Sequence, residues 1–354
     1  MNDMLWAPTT VGRLELRHRL AMAPMTRSRA TPEGVPTEQN ARYYAQRASL
    51  GLLISEGTQP SADGQGYTLT PGIYDDAQVA GWRLVTDAVH EAGGYLFMQL
   101  MHTGRVGHPD NTPHQRLPVA PSAVRPMGQI FTATGLQDMP EPRALSTEEV
   151  AATVDDFRRA AALAIAAGAD GVEVHGANGY LPHQFLAVNA NRRTDRYGGS
   201  LENRNRFTVE VVAAIAEEIG ADRTSIRISP GNPFNDIVEE DTAATYDDLV
   251  RRLAELHLAY LHVVHPGDDD LVAALRAAWP TTLILNRPSQ APEQLGDDIA
   301  AGLVDVVAVG ALALANPDLV VRLKTGAPLN EPDRASFFGG TERGYTDYPT
   351  LMPT

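Results

Sequence analysis

The chain of 354 residues contains no cysteine. It can therefore form no disulfide, thiolate nucleophile, zinc–thiolate site or cysteine-held iron–sulfur cluster. Lysine is nearly absent as well, because Lys324 is the only one and every other Lys or Arg position is an arginine. Since Lys324 falls in the last predicted helix, chemistry that needs a lysine in the interior of the fold is excluded.

Positive charge and long apolar stretches are also scarce. The formal net charge is −15 and no run of Lys and Arg interrupts it, which excludes nucleic acid and anionic membranes as the main partners. Residues Met1 to Trp6 lack the basic and then apolar pattern of a signal segment, and no apolar run reaches the roughly 18 residues of a membrane span. We expect a soluble, cytoplasmic protein, either a monomer or a homodimer.

Short apolar runs alternate along the chain with longer helical patterns, which is typical of repeated βα units on a parallel sheet. A hydrophobic fraction of 43% supplies the core of one large domain over residues 1–354. Eight such units predict an α/β fold of the (β/α)₈ TIM-barrel type. The predicted strands are Leu20 to Pro24, Gly51 to Glu56, Tyr95 to Leu100, Gly171 to His175, Ser225 to Ser229, Ala259 to Val264, Thr282 to Leu285 and Val304 to Val309.

Helical patterns lie between the predicted strands. Ser146 followed by Glu149 has the spacing of a capping box, and Pro317 suits the first position of a helix. Val11 to Arg19 predicts an N-terminal hairpin that closes the barrel floor, and the Pro- and Gly-rich stretch Thr103 to Leu145 predicts a capping excursion after the third strand. The predicted helices are about Thr37 to Ser49, Asp75 to Ala92, Thr147 to Ala167, Leu201 to Ile219, Ala243 to Leu256, Asp268 to Ala278, Pro292 to Ala301 and Pro317 to Lys324.

Ligand sites of (β/α)₈ barrels form at the carboxyl ends of the strands, so the residues after each apolar run are the candidates. Arg227 lies in the fifth run between two isoleucines. Because a buried cation is costly without an acceptor, Arg227 predicts either a flavin ring, whose N1 and C2 carbonyl gain negative charge on reduction, or a structural pair with Glu173 or Glu56. Gln99, near the end of the third run, suits either the uracil-like edge of a flavin or the barrel backbone.

Three polar side chains, His175, Asn178 and Tyr180, follow the fourth run in a turn punctuated by glycine. Neutral imidazole and amide donors that meet on one carbonyl or nitro oxygen would stabilise the charge that builds there when a hydride reaches the β-carbon of an alkene. Tyr180, with an ordinary pKa of about 10, would then protonate the α-carbon as general acid. The alternative interpretation is a hydrogen-bonded turn beside a packed aromatic ring.

Several long motifs resemble those of the old yellow enzyme family. The resemblance is carried above all by His175-Gly-Ala-Asn178-Gly-Tyr180-Leu-Pro-His183-Gln-Phe-Leu186 and its continuation Asn191 to Arg204. It extends over essentially the whole chain through five further features, namely Met22 to Arg27, Met98 to Arg105, Arg227, Ala315 to Asp318 and Gly344 to Pro349.

The resemblance implies FMN at the barrel mouth, with NADPH or NADH as reductant and an electron-poor alkene as substrate. The nicotinamide dinucleotide and the alkene would bind by turns to the open flavin face. His175 and Asn178 would hold the substrate oxygen, Tyr180 would supply the proton, and Thr26 would donate to the flavin C4 carbonyl. Enones, nitroalkenes, maleimides and nitrate esters all present an oxygen to the same donor pair. The residues implied around the ring are Pro24, Met25, Thr26, Gly57, Gln99 and Arg227, and those around the substrate are Tyr67, Met101 and Phe338.

The chain departs from the family pattern at the phosphate end of the flavin. Many members follow the eighth strand with Gly and then Arg, which holds the phosphate, whereas here Gly310 is followed by Ala311. A glycine-rich turn after the seventh strand is replaced by Asn286-Arg287-Pro288. Our hypothesis is that Arg287 supplies the missing cation, with backbone donors of Asn286 and Gly310 beside it.

Other functional classes compete with this interpretation. Dienoyl-CoA reductases of the larger type carry an iron–sulfur cluster, which the absence of cysteine excludes, and barrel aldolases or isomerases survive only in a lysine-free form. A metal-dependent hydrolase is disfavoured, because the ten histidines include no His-x-His pair and His262 and His265 point to opposite faces of a strand. A flavin-binding protein without catalysis would need the flavin contacts but not the donors of the turn after the fourth strand.

Overall fold

Eight parallel strands close into a barrel, which confirms the predicted fold class. The computed structural model describes residues 3–265, 267–288 and 290–351. Within these residues the strands are β1 Thr9–Val11, β2 Leu14–Leu16, β3 Leu20–Met22, β4 Leu52–Ile54, β5 Leu96–Leu100, β6 Val119–Ala120, β7 Gln129–Thr132, β8 Gly135–Asp138, β9 Arg143–Ala144, β10 Gly171–Gly176, β11 Thr224–Ile228, β12 Tyr260–Val264, β13 Thr282–Asn286 and β14 Val306–Val309. The barrel runs β3, β4, β5, β10, β11, β12, β13 and β14, and β14 pairs with β3 to close it.

Helices occupy most of the predicted segments between the barrel strands. The described α-helices are α1 Glu38–Ala45, α2 Asp76–Glu91, α3 Thr147–Ala166, α4 Leu181–Leu186, α5 Leu201–Ile219, α6 Thr242–Ala254, α7 Asp269–Ala278, α8 Asp297–Ala300, α9 Ala311–Ala315 and α10 Leu319–Thr325. Ser146 caps α3 in the predicted capping box with Glu149. Two of these helices, α4 and α9, were not predicted, because six and five residues are too short to show a helical period.

The last two predicted helices differ from the structure. Pro317 does not occupy the first position of a helix, since α10 begins at Leu319 after the N-cap Asp318. Proline has no N–H to continue α9 and holds the preceding Asn316 out of the helical region, so the chain turns there before a new helix begins. The segment predicted as Pro292 to Ala301 is a 3₁₀ turn followed by the short α8, and Gly296 separates the two.

The predicted N-terminal hairpin closes one end of the barrel. Val11, Leu14 and Leu16 of β1 and β2 pack against inward-facing barrel residues such as Phe97 and Tyr260. The capping excursion lies over the opposite end, at the carboxyl ends of the barrel strands. Its residues Ile130 and Met139 form a buried cluster with Met101, Val106 and Tyr180, so the excursion roofs the mouth of the barrel.

The buried side chain of Arg27 holds the C-terminal segment against the mouth of the barrel. Arg27 donates from Nη2 to the carbonyl oxygen of Gly344 at 2.8 Å and lies 5.1 Å from the ring centroid of Tyr345. Its backbone N–H and that of Ser28 donate to Oε2 of the buried Glu56 at 2.9 and 3.3 Å. Burial raises the pKa of Glu56 to about 7, so this carboxyl group exchanges its proton near neutral pH.

Replacing Glu56 by glutamine should flatten the dependence of stability on pH. The folded protein holds the Glu56 proton between its ordinary pKa of 4.5 and its folded pKa of about 7, so this group should lower the wild-type free energy of unfolding by about 3 kcal/mol as the pH rises through that window. Glu56→Gln carries no ionisable group there and should lose this slope. Urea unfolding at a series of pH values measures the difference, with Glu255→Gln at an exposed position as control. Parallel curves for Glu56→Gln and wild type would contradict the assignment.

Candidate active site

A layer of polar side chains lines the barrel interior near its mouth. Because successive side chains of a strand point to opposite faces, Glu173 and His175 of β10 face inwards while Val172 and Val174 pack outwards in the main hydrophobic core. Neighbouring strands contribute inward residues at the same level, since Glu173 lies opposite Gln99 and His175 lies opposite Arg227. The inward polar residues are Gln99, Glu173, His175, Arg227, His262 and Asn286.

Arg227 is a buried cation without a carboxylate partner in residues 3–265, 267–288 and 290–351. Its Nη2 donates to Oδ1 of Asn286 at 3.0 Å, and Asn286 in turn donates to the carbonyl oxygen of Ala308 at 2.8 Å. Neither Glu173 nor Glu56 forms an ion pair with Arg227, and its Nε has no acceptor among the described residues. Burial lowers the pKa of the guanidinium, which reflects the cost of holding this charge away from water.

Glu173 is occupied by other partners. Its Oε1 accepts a hydrogen bond from Nε2 of Gln99 at 2.7 Å, and its Oε2 lies 2.8 Å from Nδ1 of His262. All three side chains are buried. This chain of hydrogen bonds directs the amide nitrogen of Gln99 towards Glu173 and leaves its carbonyl oxygen as an acceptor for a ligand.

The donors and acceptors of this layer fit the pyrimidine edge of a flavin. That edge carries acceptors at N1 and the C2 carbonyl and an N–H donor at N3. The unpartnered Nε of Arg227 suits the acceptors, and the free carbonyl oxygen of Gln99 suits the donor. The residues present therefore fit the ring of the flavin that the sequence predicts.

His175 is a neutral donor at the tip of β10. Its ring is almost fully buried, and this burial, together with the charge of Arg227, holds the pKa of His175 well below its usual value. Nδ1 of His175 accepts the backbone N–H of Ala177 at 3.4 Å, so the proton of the neutral ring resides on Nε2. The imidazole can therefore donate one hydrogen bond into the mouth without carrying a charge.

Asn178 lies in the left-handed region, with φ +56°, at the start of the turn. Its Oδ1 accepts from Nδ2 of Asn232 at 3.0 Å, which leaves the Nδ2 of Asn178 free to donate. The backbone N–H of Asn178 donates to Oγ of Ser229 at 2.8 Å, and its carbonyl oxygen accepts from Nδ2 of Asn235 at 2.8 Å. The segment after β11 thus holds both the backbone and the amide of Asn178 in place.

Gly179 and His183 complete the support of this turn. Gly179 has φ +76°, and a Cβ at this position would lie 2.6 Å from the carbonyl oxygen of Phe234, so the close approach of the two segments requires glycine. The N–H of Gly179 donates to Nδ1 of His183 at 3.0 Å, and Nε2 of His183 lies 2.6 Å from Oε1 of Glu239. Glu239 also accepts the phenol of Tyr246 at 2.7 Å, which anchors the support to α6.

Tyr180 places a phenol beside the two donors. Its ring meets that of His175 edge-on at 4.9 Å, and its hydroxyl lies 3.1 Å from the hydroxyl of Tyr67. Burial, with the neighbouring Tyr67, raises the pKa of Tyr180 well above its usual value of 10. The phenol therefore keeps its proton at neutral pH until a strong base meets it.

The other residues predicted around the ligand occupy several parts of the mouth. Met25 neighbours Gly310, where a Cβ would lie 3.4 Å from its sulfur, and Met101 fills the space beside Gly57, where a Cβ would lie 2.4 Å from its sulfur. Phe338 is 68% exposed and packs edge-on against Phe337. Pro24 and Thr26 are half-buried at the end of β3, and Ala311 is exposed as the first residue of α9.

Arg287, the predicted phosphate ligand, lies in a cluster of ion pairs. Its Nε and Nη2 donate to the two carboxylate oxygens of Asp298 at 2.8 and 2.9 Å, and Nη2 also lies 2.5 Å from Oδ1 of Asp269. Nη1 lies 2.5 Å from Nε2 of His265. The hydrogen bonds that Arg287 donates to Asp298, and then to Asp269, raise the pKa of Arg287 above its usual value. A role of Arg287 in phosphate binding stays a prediction.

Several residues that support the site were not singled out from the sequence. They are Ser229, Asn232, Asn235 and Glu239 after β11. From the sequence, His262 of β12 is a candidate only for metal binding, whereas the structure hydrogen-bonds it to Glu173. The rule that functional residues follow barrel strands applies to the segment after β11 as well as to the one after β10, and it marks this polar segment as a candidate. Their partners in the turn could not be read from spacing, because the two segments lie more than 50 residues apart along the chain.

Other kinds of site find no support among the described residues. No group of three or more His, Cys, Asp or Glu side chains is placed to hold a metal ion in residues 3–265, 267–288 and 290–351. Over the same ranges, no helix combines the length and apolarity needed to cross a membrane.

Comparison with known proteins identifies the family. Residues 4–330 match the family described as NADH:flavin oxidoreductase / NADH oxidase. The chain is 43% identical over 358 residues to a probable flavin mononucleotide-dependent alkene reductase of Leishmania infantum, covering 99% of this chain and 98% of that protein. It is 42% identical over 363 residues to 12-oxophytodienoate reductase 1 of Oryza sativa subsp. japonica, covering 98% of this chain and 93% of that protein.

Solved structures agree with this assignment. Morphinone reductase in complex with tetrahydroNAD superposes with a TM-score of 0.95 at 44% identity, over 99% of this chain and 98% of that chain. The old yellow enzyme homologue from Zymomonas mobilis superposes with a TM-score of 0.95 at 37% identity, over 98% and 99% of the two chains. The chain therefore belongs to the NADH:flavin oxidoreductase / NADH oxidase family, the old yellow enzyme family of FMN-dependent oxidoreductases that use NAD(P)H.

Proposed function

We propose that this chain is an ene-reductase for electron-poor alkenes such as enones, nitroalkenes and maleimides, with NADPH or NADH as reductant. FMN held by Arg227 and Gln99 would supply the hydride-transfer chemistry that links the nicotinamide to the β-carbon of the alkene. The observation that carries the proposal is the buried cation Arg227, which lies opposite His175 and has no carboxylate partner among the described residues, since it supports a flavin site beside the donors of the turn. Nitro compounds and nitrate esters present an oxygen of the same kind and extend the proposed substrate class.

His175 and Asn178 would hold the oxygen of the substrate. Nε2–H of His175 and Nδ2–H of Asn178 are the donors left free by their hydrogen bonds to Ala177 and Asn232. Both donors are neutral and fixed before the substrate arrives, so they can stabilise the negative charge that develops on the oxygen without having to reorganise. Their convergence would also place the β-carbon over the hydride source.

Tyr180 would deliver the proton to the α-carbon. Its raised pKa keeps the phenol protonated, and the developing carbanion is basic enough to take this proton. The hydroxyl of Tyr67, 3.1 Å away, can donate to the Tyr180 oxygen as the proton leaves. Tyr67 and Met101 would form the walls of the substrate space, and Phe338 would contribute from the C-terminal segment.

The proposed flavin contacts surround the polar layer. Arg227 and Gln99 would bind the pyrimidine edge, and Asn286 would orient Arg227. The further residues proposed to contact FMN are Pro24, Met25, Thr26, Gly57, Gly310 and Ala311. We further propose that residues 1–354 act as a single domain in the cytoplasm, as a monomer or a homodimer.

The visible absorption of the purified protein tests the proposal as a whole. We expect the bands of an oxidised flavin, bleaching by NADPH under anaerobic conditions, and recovery of the bands on addition of cyclohexenone. A preparation that bleaches with NADPH but does not recover with any activated alkene would contradict the ene-reductase assignment and leave flavin binding standing.

Tyr180→Phe should lose most of its activity while keeping its FMN. The substitution removes only the proton donor, so alkene reduction should fall by about 10²- to 10⁴-fold in a single turnover with cyclohexenone. The flavin-to-protein ratio should stay that of wild type, because the polar layer around Arg227 is untouched. Tyr95→Phe, next to the floor cluster at the far end of the barrel, is the matched control. Wild-type turnover of Tyr180→Phe would assign the proton to another donor.

Loss of either oxygen-binding donor should lower kcat/KM for an enone. Removing one preorganised donor to a developing oxyanion costs roughly 10²- to 10³-fold, so His175→Ala and Asn178→Ala should each fall in this range. Asn189→Ala is the control, because the Asn189 amide binds only backbone atoms of Asp236 and Val238. Steady-state rates at several enone concentrations give the comparison. Equal losses in all three variants would show that the effect is structural.

A further inference from the structure

Little positive charge is available at the end of the site where the phosphate of FMN is expected. In (β/α)₈ barrels the phosphate of a ligand is frequently bound by the segments after the seventh and eighth strands, together with the start of a short additional helix. In this chain those segments follow β13 and β14, and the short helix is α9. The proposed flavin-dependent function therefore directs the phosphate of FMN to this end of the same site.

An acidic cleft of about 370 Å³ lies after β13. Its lining includes Arg287, Asp297 and Asp298, and Arg287 is the only Arg or Lys among the described residues that line it. One guanidinium thus faces two lining carboxylates, and Asp269 adds a third at its Nη2. A phosphate group carries about −1.5 to −2 charges at neutral pH, so it would enter a cleft whose net charge already has its own sign.

The guanidinium of Arg287 is already engaged. It forms a bidentate pair with Asp298, and Asp269 accepts a third N–H group, from Nη2. Bidentate pairs between arginine and carboxylate are among the strongest charge-assisted hydrogen bonds, and this one is largely shielded, with side-chain exposures of 19% and 12%. A phosphate would have to displace one of these carboxylates or accept from Nη1, which lies against Nε2 of His265.

The described residues of the segment after β14 supply no free cation in place of Arg287. Gly310 and Ala311 carry no charge, and α9 has only five residues, all alanine or leucine. The buried Arg47 near this helix is also engaged, because its Nε donates to the carbonyl oxygen of Ala313 at 3.1 Å and its Nη2 to that of Leu314 at 2.5 Å. Both segments expected to bind a phosphate therefore lack a free cation among their described residues.

We infer, on the basis of the proposed flavin-dependent function, that the phosphate of FMN contributes little to cofactor binding in this protein, so that riboflavin occupies the site about as tightly as FMN. The isoalloxazine edge is matched by Arg227 and Gln99, whereas the phosphate meets a neutralised arginine and a surplus of carboxylates. The ring therefore carries the affinity for the cofactor.

Titration of the full-length apo-protein with each flavin tests this inference. The flavin fluorescence gives a dissociation constant without reference to activity. The two constants should agree within roughly threefold, because less than about 1 kcal/mol of binding energy is assigned to the phosphate. FMN binding more than about 30-fold tighter than riboflavin binding would overturn the inference, since this gap corresponds to about 2 kcal/mol from the phosphate.

Variants of the cleft make the test specific to Arg287. Asp269→Asn combined with Asp298→Asn frees the guanidinium and should tighten FMN binding by about tenfold or more, the value of a charge-assisted hydrogen bond, with riboflavin binding unchanged. Asp297→Asn removes a carboxylate from the same cleft that forms no ion pair with Arg287, and it should leave the FMN-to-riboflavin ratio near that of wild type.

Arg287→Ala gives the opposite check. If the inference holds, the variant binds both flavins as wild type does. A loss of FMN affinity of about tenfold or more, with riboflavin unaffected, would show that Arg287 anchors the phosphate and would overturn it. Failure of both flavins to bind wild type would overturn this inference and the proposed function together. A protein that binds both flavins equally but reduces no alkene would overturn the proposed function alone.

Discussion

The structure depends on a guanidinium that is held inside the barrel without an ion pair to any carboxylate in the part of the chain that the structure describes. Removing a cation from water costs several kcal/mol unless other groups compensate. Around Arg227 the protein supplies one neutral acceptor, Asn286, and commits the nearest interior carboxylate, Glu173, to Gln99 and His262. The Nε of this guanidinium still has no acceptor among the described residues. In the proposed function, the acceptors at N1 and the C2 carbonyl of the flavin would meet this demand.

The turn that carries Asn178 is held largely by the segment after the neighbouring strand β11. Asn178 donates its backbone N–H to Ser229 and accepts from Asn232 and Asn235, and the His183–Glu239 pair holds Gly179. Such support keeps an amide and an imidazole in place against a developing charge, which is the condition for stabilising it. Burial shifts the pKa values of two neighbouring groups in opposite directions. It lowers the pKa of His175, so the imidazole stays neutral, and it raises the pKa of Tyr180, so the phenol stays protonated.

Much of the fold was predictable because its signals are local. Apolar runs located all eight barrel strands to within a few residues, and the capping box at Ser146 located the start of α3. The predictions failed where the signal is short or interrupted. The helices α4 and α9 are too brief to show a period, and Pro317 stops one helix instead of starting the next. The partners of Glu173 and Arg287 could not be predicted for a different reason, since the sequence allows several possible partners for each residue.

The sequence by itself determined the class of fold, the family, and the types of side chain at the mouth, because strand periodicity and the long motif around His175 and Tyr180 are properties of contiguous residues. Only the tertiary structure decided which charges are free. It paired Glu173 with Gln99 and His262, left Arg227 without an anion, and neutralised Arg287 with Asp298 and Asp269. The reason is that the free energy of a buried charge depends on groups that meet it across the barrel, and that pairing is set by packing between strands and not by spacing along the chain.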